Sequence, residues 1–135
     1  MRKHPKRNKG QFFALPYALV SHKNFYSLSG NAIKLYIQLC TQFNGNNNGD
    51  FSCSFAVMKN KGWKSSGTLQ NSIKELIKNG LIVKTRQGGK NKCSLYAETI
   101  HPIDECNKKL DAGFANSKAF IGNWHKINIP THYLN

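Results

Sequence analysis

The sequence predicts an α+β fold, a three-helix core followed by a short β-hairpin, within one domain. Three observations carry this prediction. Apolar residues recur at spacings of three and four from Ala32 to Phe43 and from Leu69 to Ile77, and each stretch ends in asparagine and glycine. A β-branched run, Leu81 to Arg86, and a looser alternation, Cys93 to Thr99, flank the glycine-centred segment 87–92. The 135 residues suffice for a single core and are too few for two full domains.

Residues 1–11 read as a flexible basic arm. Between Phe12 and Leu28 a mixed apolar segment, broken by Pro16, has room for one or two short helices. The clearest helix opens at Ser29, a side chain suited to an N-cap. Ala32, Ile33, Tyr36, Leu39, Cys40 and Phe43 then share one face, with Lys34, Gln38, Thr41 and Gln42 on the other. The Asn-Gly run from Asn44 to Asp50 stops it and reads as a tight connection.

Phe51 to Ser54 has the length of a short strand. Ser54 is placed to cap a second helix carrying Phe55, Val57 and Met58, which Gly62 interrupts. A third helix, capped by Ser65 or Ser66, buries Leu69, Ile73, Leu76 and Ile77. Asn79-Gly80 closes it with residues that accept a left-handed backbone. Domain boundaries are expected at 12 and 105. Residues 106–135 form a C-terminal extension without legible periodicity, packing on the domain or on a partner in a homodimer.

Charge is the strongest compositional signal. Lysine and arginine number 20 against 6 acidic residues, a formal net charge of +14. Arg2, Lys3, Lys6, Arg7 and Lys9 crowd the first ten residues, and no acid precedes Asp50. Between Lys59 and Lys92, nine cations face Glu75 alone. Such a surplus repels itself in the folded state, and a polyanion is its commonest partner. For the arm, a solvated basic tail is an equal reading. No apolar run approaches the roughly 18 to 20 residues of a membrane span, and no secretory apolar region follows the basic start. A cytoplasmic, nucleoid-associated protein is expected.

Cys40, Cys53, Cys93 and Cys106 lack the close spacing of zinc or redox motifs. They are read as reduced structural thiols, Cys40 in a helix and Cys93 inside the second strand. Cofactors and metals are not expected.

Helix, short strand, helix, turn, helix, strand and basic hairpin is the order of a winged helix-turn-helix. In that arrangement the helix after the turn enters the major groove of DNA, its first residues against base edges. Here that end presents Lys64, Ser65, Ser66, Thr68, Gln70, Asn71 and Lys74. Gln70 and Asn71 have amides suited to adenine, and Lys74 has the reach for guanine or phosphate. Ser66 and Thr68 have hydroxyls for capping or for phosphate. Arg86, Lys90 and Lys92 on the hairpin, and Arg2, Lys3, Lys6 and Arg7 in the arm, are candidates for backbone or minor-groove contact. Taken singly, each residue is ordinary on a solvated face, and the conjunction is what points to double-stranded DNA.

The stretches from Leu28-Ser29 to Asn48-Gly49, then Gly62-Trp63-Lys64-Ser65, then Leu76 to Ile82 and Thr85 to Gly89 resemble a small bacterial winged-helix family. Its members occur on plasmids, phages and integrated elements and are similar to replication-initiator DNA-binding domains. The resemblance spans 12–105 and implies sequence-specific duplex binding in transcription or replication control. Catalysis is not expected. The six acids are scattered, Asp104 and Glu105 read as solvated turn charges, and phosphate-loop, dinucleotide and nucleophile-elbow motifs are absent. RNA is the nearer rival, with Trp63, Tyr96 and the C-terminal aromatics as stacking platforms or, more simply, as core. An architectural role on nucleic acid and a basic protein-interaction module complete the alternatives.

Overall fold

A computed structural model describes residues 10–126, so the arm cations Arg2, Lys3, Lys6 and Arg7 lie outside the described residues. The architecture is α+β, with several helices and one two-stranded antiparallel hairpin. Two single-turn helices, α1 (Tyr17–Val20) and α2 (Lys23–Tyr26), precede α3 (Gly30–Cys40). A further turn, α4 (Phe55–Met58), runs into a 3-10 turn at Lys59–Lys61 and is followed by α5 (Ser66–Lys78). Strands β1 (Ile82–Arg86) and β2 (Leu95–Glu98) form the hairpin, and α6 (Asn123–Lys126) comes last.

The caps explain where the two long helices begin. Ser29 Oγ accepts from Ala32 N at 3.2 Å, and Ser65 Oγ accepts from Thr68 N at 3.2 Å. Ser65 is therefore the cap of α5, and Ser66 and Thr68 leave their side chains to solvent. α3 packs on α5. The face it buries comprises Ala32, Leu35, Tyr36, Leu39 and Cys40, while Ile33 and Phe43 are half-buried. Leu35 thus belongs to the core although the spacing argument passes over it. From α5 come Leu69, Ile73 and Leu76, with Ile77 at the margin.

β1 and β2 pair with Ile82 opposite Glu98 and Lys84 opposite Tyr96, and slip by one residue between Lys84 and Arg86. This bulge turns Thr85 inward, where its Oγ1 donates to Gly49 O at 2.6 Å and its carbonyl accepts from Asp111 N. The segment expected as a first strand makes a single bridge, Phe51 to Tyr96, with backbone bonds in both directions. All four residues of β2 are buried. Cys93 falls before β2 and is exposed, which corrects the expectation of a buried strand thiol. The Cys93 carbonyl accepts from Arg86 Nε and Nη2 rather than from the ladder, which begins at Leu95.

The Asn-rich loop is an anchor as much as a connection. Buried Asn48 donates from Nδ2 to the carbonyls of Glu98, His101 and Pro102 and accepts from Glu98 N on Oδ1. Asp104 Oδ2 accepts from Asn48 N at 2.9 Å, so Asp104 is a loop anchor and not a solvated turn charge. Beyond it the backbone takes a left-handed turn at Cys106, Asn107 and Lys108. The chain then crosses back to α2 and places Trp124 in the core with Leu19 and Phe25. Asn24 Nδ2 donates to Trp124 O at 2.6 Å. Gly80, at φ +81, has Asn123 O only 2.8 Å from where a Cβ would stand. Through Lys126 the extension lies on its own domain.

Candidate nucleic-acid interface

The side chains proposed for base readout sit where α5 meets solvent. Lys64, Ser65, Ser66, Thr68, Gln70, Asn71 and Lys74 are all exposed, and the one carboxylate on this side of α5, half-buried Glu75, is held by Ser29. Leu69, Ser72, Ile73 and Leu76 hold the opposite face in the core. Ser72 donates to Thr68 O, a backbone bond within the helix that lets a serine be buried. The result is a rigid helix whose polar face begins at its first turn.

The hairpin tip closes tightly. Gly89 N donates to Lys92 O at 2.9 Å, and Lys92 N donates to Gly89 O at 3.2 Å. Asn91 takes φ +60 to make the turn. Lys90 and Lys92 are exposed there. Arg86 differs, because its Nε and Nη2 donate to Cys93 O at 3.1 and 2.7 Å and so brace the hairpin itself.

Between α5 and the hairpin lies a cleft of about 330 Å³, with Gln70 and Ile73 on one wall and Lys84, Gln87 and Ser94 on the other. Lys84 Nζ donates to Gln87 Oε1 at 3.3 Å. Tyr96 and Cys53 lie beneath, and burial raises each to about 12, so this floor is uncharged at neutral pH. Lys84 and Gln87 escape the sequence argument for a physical reason. Gln87 follows the slip at Thr85, which sets the side it faces. The alternation of β1 itself would have hinted at Lys84.

The carboxylates are consumed by the fold. Glu75 accepts from Ser29 N and Oγ, and Asp104 accepts from Asn48 N. Asp111 accepts from Gln87 N, and Glu105 from Asn107 N. Glu98, fully buried, accepts from Ile100 N, His101 N and His101 Nδ1. Its burial pushes the carboxyl up, against the opposing pull of His101 and the two backbone N–H groups. Asp50 pairs with a lysine, Lys109, at 2.9 Å. Five of the six therefore answer backbone donors.

No protein-family model, curated protein or solved structure matches the chain. The chemistry of the surface must carry the reading. Trp63 and Tyr96 are buried, as is Trp124, so none of the three offers a free ring face for stacking on an unpaired base. Phe114 and Phe120 stack on each other, centroids 5.6 Å apart. His101 stacks on Phe43 and bonds to Glu98, while Cys106 Sγ donates to Asn48 O. Among the described residues no three His, Cys, Asp or Glu side chains gather as a metal site. No helix among them is long and apolar enough to cross a membrane.

Proposed function

We propose that this chain is a winged helix-turn-helix protein that binds double-stranded DNA with sequence preference. In this reading α4 and α5 are the helix-turn-helix pair and the β1–β2 hairpin is the wing. One observation carries the proposal: an exposed polar face on α5, rich in amides and cations and with a single carboxylate, Glu75, held by Ser29, beside a lysine-tipped hairpin. A net charge of +14 repels itself in the folded state, and a polyanion is the partner that answers it. An amide-bearing helix face adds the means to read base edges. The cleft between α5 and the wing offers Gln70 and Lys84 to a backbone phosphate where the duplex passes from one to the other. The resemblance to winged-helix proteins of bacterial mobile elements suggests transcription or replication control as the setting.

Selection from a random duplex pool at physiological salt, followed by sequencing, tests the reading. An enriched motif is expected, and a palindromic one would indicate binding as a homodimer. Alanine at Gln70 or Asn71 should relax preference at particular positions, costing about 1–3 kcal/mol per lost contact. Replacing Lys90 and Lys92 should weaken all sequences alike and flatten the salt slope by about one per lost phosphate contact. A pool that binds without enrichment would overturn sequence reading and favour an architectural role. Preference for a single-stranded RNA pool, or binding insensitive to salt, would overturn duplex DNA as the partner.

A further inference from the structure

Lys34 and Gln38 stand one turn apart on α3, so both reach the same neighbour. The sequence places them on the solvent side of that helix, yet the structure closes them over the turn that precedes α5. Gln38 Nε2 donates to Lys61 O at 3.0 Å, and Trp63 Nε1 donates to Gln38 Oε1 at 2.7 Å. Lys34 Nζ donates to Gly62 O at 3.1 Å and lies 5.0 Å above the Trp63 ring. Three consecutive residues of the turn are thus held by two side chains. The way the Gln38 amide points is dictated by its partners, since an indole N–H only donates and a carbonyl only accepts.

The turn needs holding. Gly62 leaves the helical path at φ +90, and a Cβ there would stand 2.9 Å from Lys34 Nζ. Residues 64–68, from the turn through the first residues of α5, are all exposed, so the core grips this helix only from Leu69 onward. Upstream of Leu69 the turn is held by buried Trp63, whose N–H donates to the carbonyl of buried Met58 at 3.3 Å, and by the two α3 side chains.

We infer that Lys34 and Gln38 are positioning residues for base reading. They hold residues 61–63 and so set the direction in which α5 leaves the turn, and with it where Gln70 and Asn71 meet a duplex. Neither needs to touch DNA. The functional consequence rests on the DNA-binding reading above, whereas the mechanical role does not.

The test compares the full chain with Gln38→Met, Gln38→Glu and Lys34→Met, each checked for cooperative unfolding. Residual dipolar couplings report the angle between α3 and α5, and the Trp63 indole N–H shift reports its hydrogen bond. A folded Gln38→Met protein should show a changed angle and a displaced indole signal. Its affinity for the enriched duplex should fall about tenfold, the scale of one lost base contact. Its affinity for random duplex, set by phosphates, should stay within about twofold. Gln38→Glu keeps the acceptor for Trp63 but sets an oxygen against Lys61 O, so it should shift the angle while keeping the indole signal. It also serves if the methionine variant fails to fold.

An unchanged angle in folded variants would overturn the inference. So would equal loss on enriched and random duplexes, which marks a merely structural role. A changed angle in a protein whose wild type enriches no duplex would support the clasp and sink the DNA reading instead.

Discussion

Glu75 on α5 takes both hydrogen-bond donors of Ser29 at the start of α3, the backbone N–H on Oε2 at 2.6 Å and the hydroxyl on Oε1 at 2.8 Å. Ser29 Oγ meanwhile accepts from Ala32 N. A capping box ordinarily draws its carboxylate from the third residue of the same helix. Here that residue is Ala32, and a second helix supplies the acid across 46 positions of sequence. The lone carboxylate in the cationic stretch 59–92 is thereby a joint between the two long helices.

Glu75→Gln should consequently act in two opposite directions. Loss of a charged acceptor from this half-exposed pair should lower unfolding free energy by about 1 kcal/mol, read by urea denaturation. Removing the one negative charge of the stretch should at the same time raise affinity for duplex DNA, most visibly at low salt. Tighter binding by a less stable protein is the expected signature. Weaker binding would mean that the joint, and not the field, dominates at this position.

Gly80→Ala should cost far more than an ordinary helix-end substitution. The left-handed φ carries about 1–2 kcal/mol for any residue with a Cβ. The new methyl would also meet Asn123 O at 2.8 Å and Trp124 Cα at 2.9 Å, both backbone atoms that cannot swing aside. A total near 3 kcal/mol is expected, with overpacking supplying the rest. Trp124 fluorescence should shift to the red at low denaturant, before the main transition, if α6 is what gives way.

Asn48→Asp is a single-atom test of the buried loop anchor. Nδ2 faces three carbonyls, those of Glu98, His101 and Pro102, at 3.0 to 3.1 Å. A carboxylate oxygen in that place would confront three acceptors with no donor, in a side chain that is fully buried. Destabilisation above about 3 kcal/mol is expected, and it should lessen below the pKa of the new acid. A variant as stable as wild type at pH 7 would show that the loop can rearrange around Asn48.

The pH response of α2 follows from its cap. His22 Nδ1 accepts from Asn24 N at 3.0 Å, which requires the neutral ring. Burial, then His125 with its ring centroid 5.8 Å away, then Lys23, lower its pKa from 6.5. The folded state thus binds the proton less readily than the unfolded chain does. The contribution of this cap is complete above 6.5 and is lost as pH falls below it. The urea midpoint should decline from pH 7 toward pH 5 through this group, and His22→Asn, which keeps a capping oxygen, should flatten that part of the profile. Curves that superimpose would remove His22 as the cause.

How much of this was legible depended on how local each cause is. Ser29, Ser65 and Asn79-Gly80 mark their helix ends by chemistry that acts within a few residues, and the spacing of Leu69, Ile73 and Leu76 shows a buried face directly. Leu35 was passed over because its neighbours already satisfied the three-and-four rule. The hairpin was visible as two runs around glycines, but the slip at Thr85 depends on Gly49 and Asp111, which lie far away in sequence. After Ile103 the chain follows backbone turns at Cys106, Asn107 and Lys108 that are left-handed without glycine, and no periodicity announces those. In the candidate site, the α5 face followed from helical geometry alone. Lys34 and Gln38 read as solvent-facing because nothing in α3 reveals that a turn 23 to 28 residues downstream folds back onto them.

The bond from Asn24 to the Trp124 carbonyl joins positions 100 residues apart. Contacts of that span are slow to find, since the loop they close must be ordered before the contact repays it. The α3–α5 pair and the hairpin that follows it draw on much nearer partners and have the makings of an early nucleus. While α6 is undocked, the side of α2 that it covers is open, an apolar seam on a strongly cationic chain. Refolding watched through Trp63 should therefore run ahead of refolding watched through Trp124.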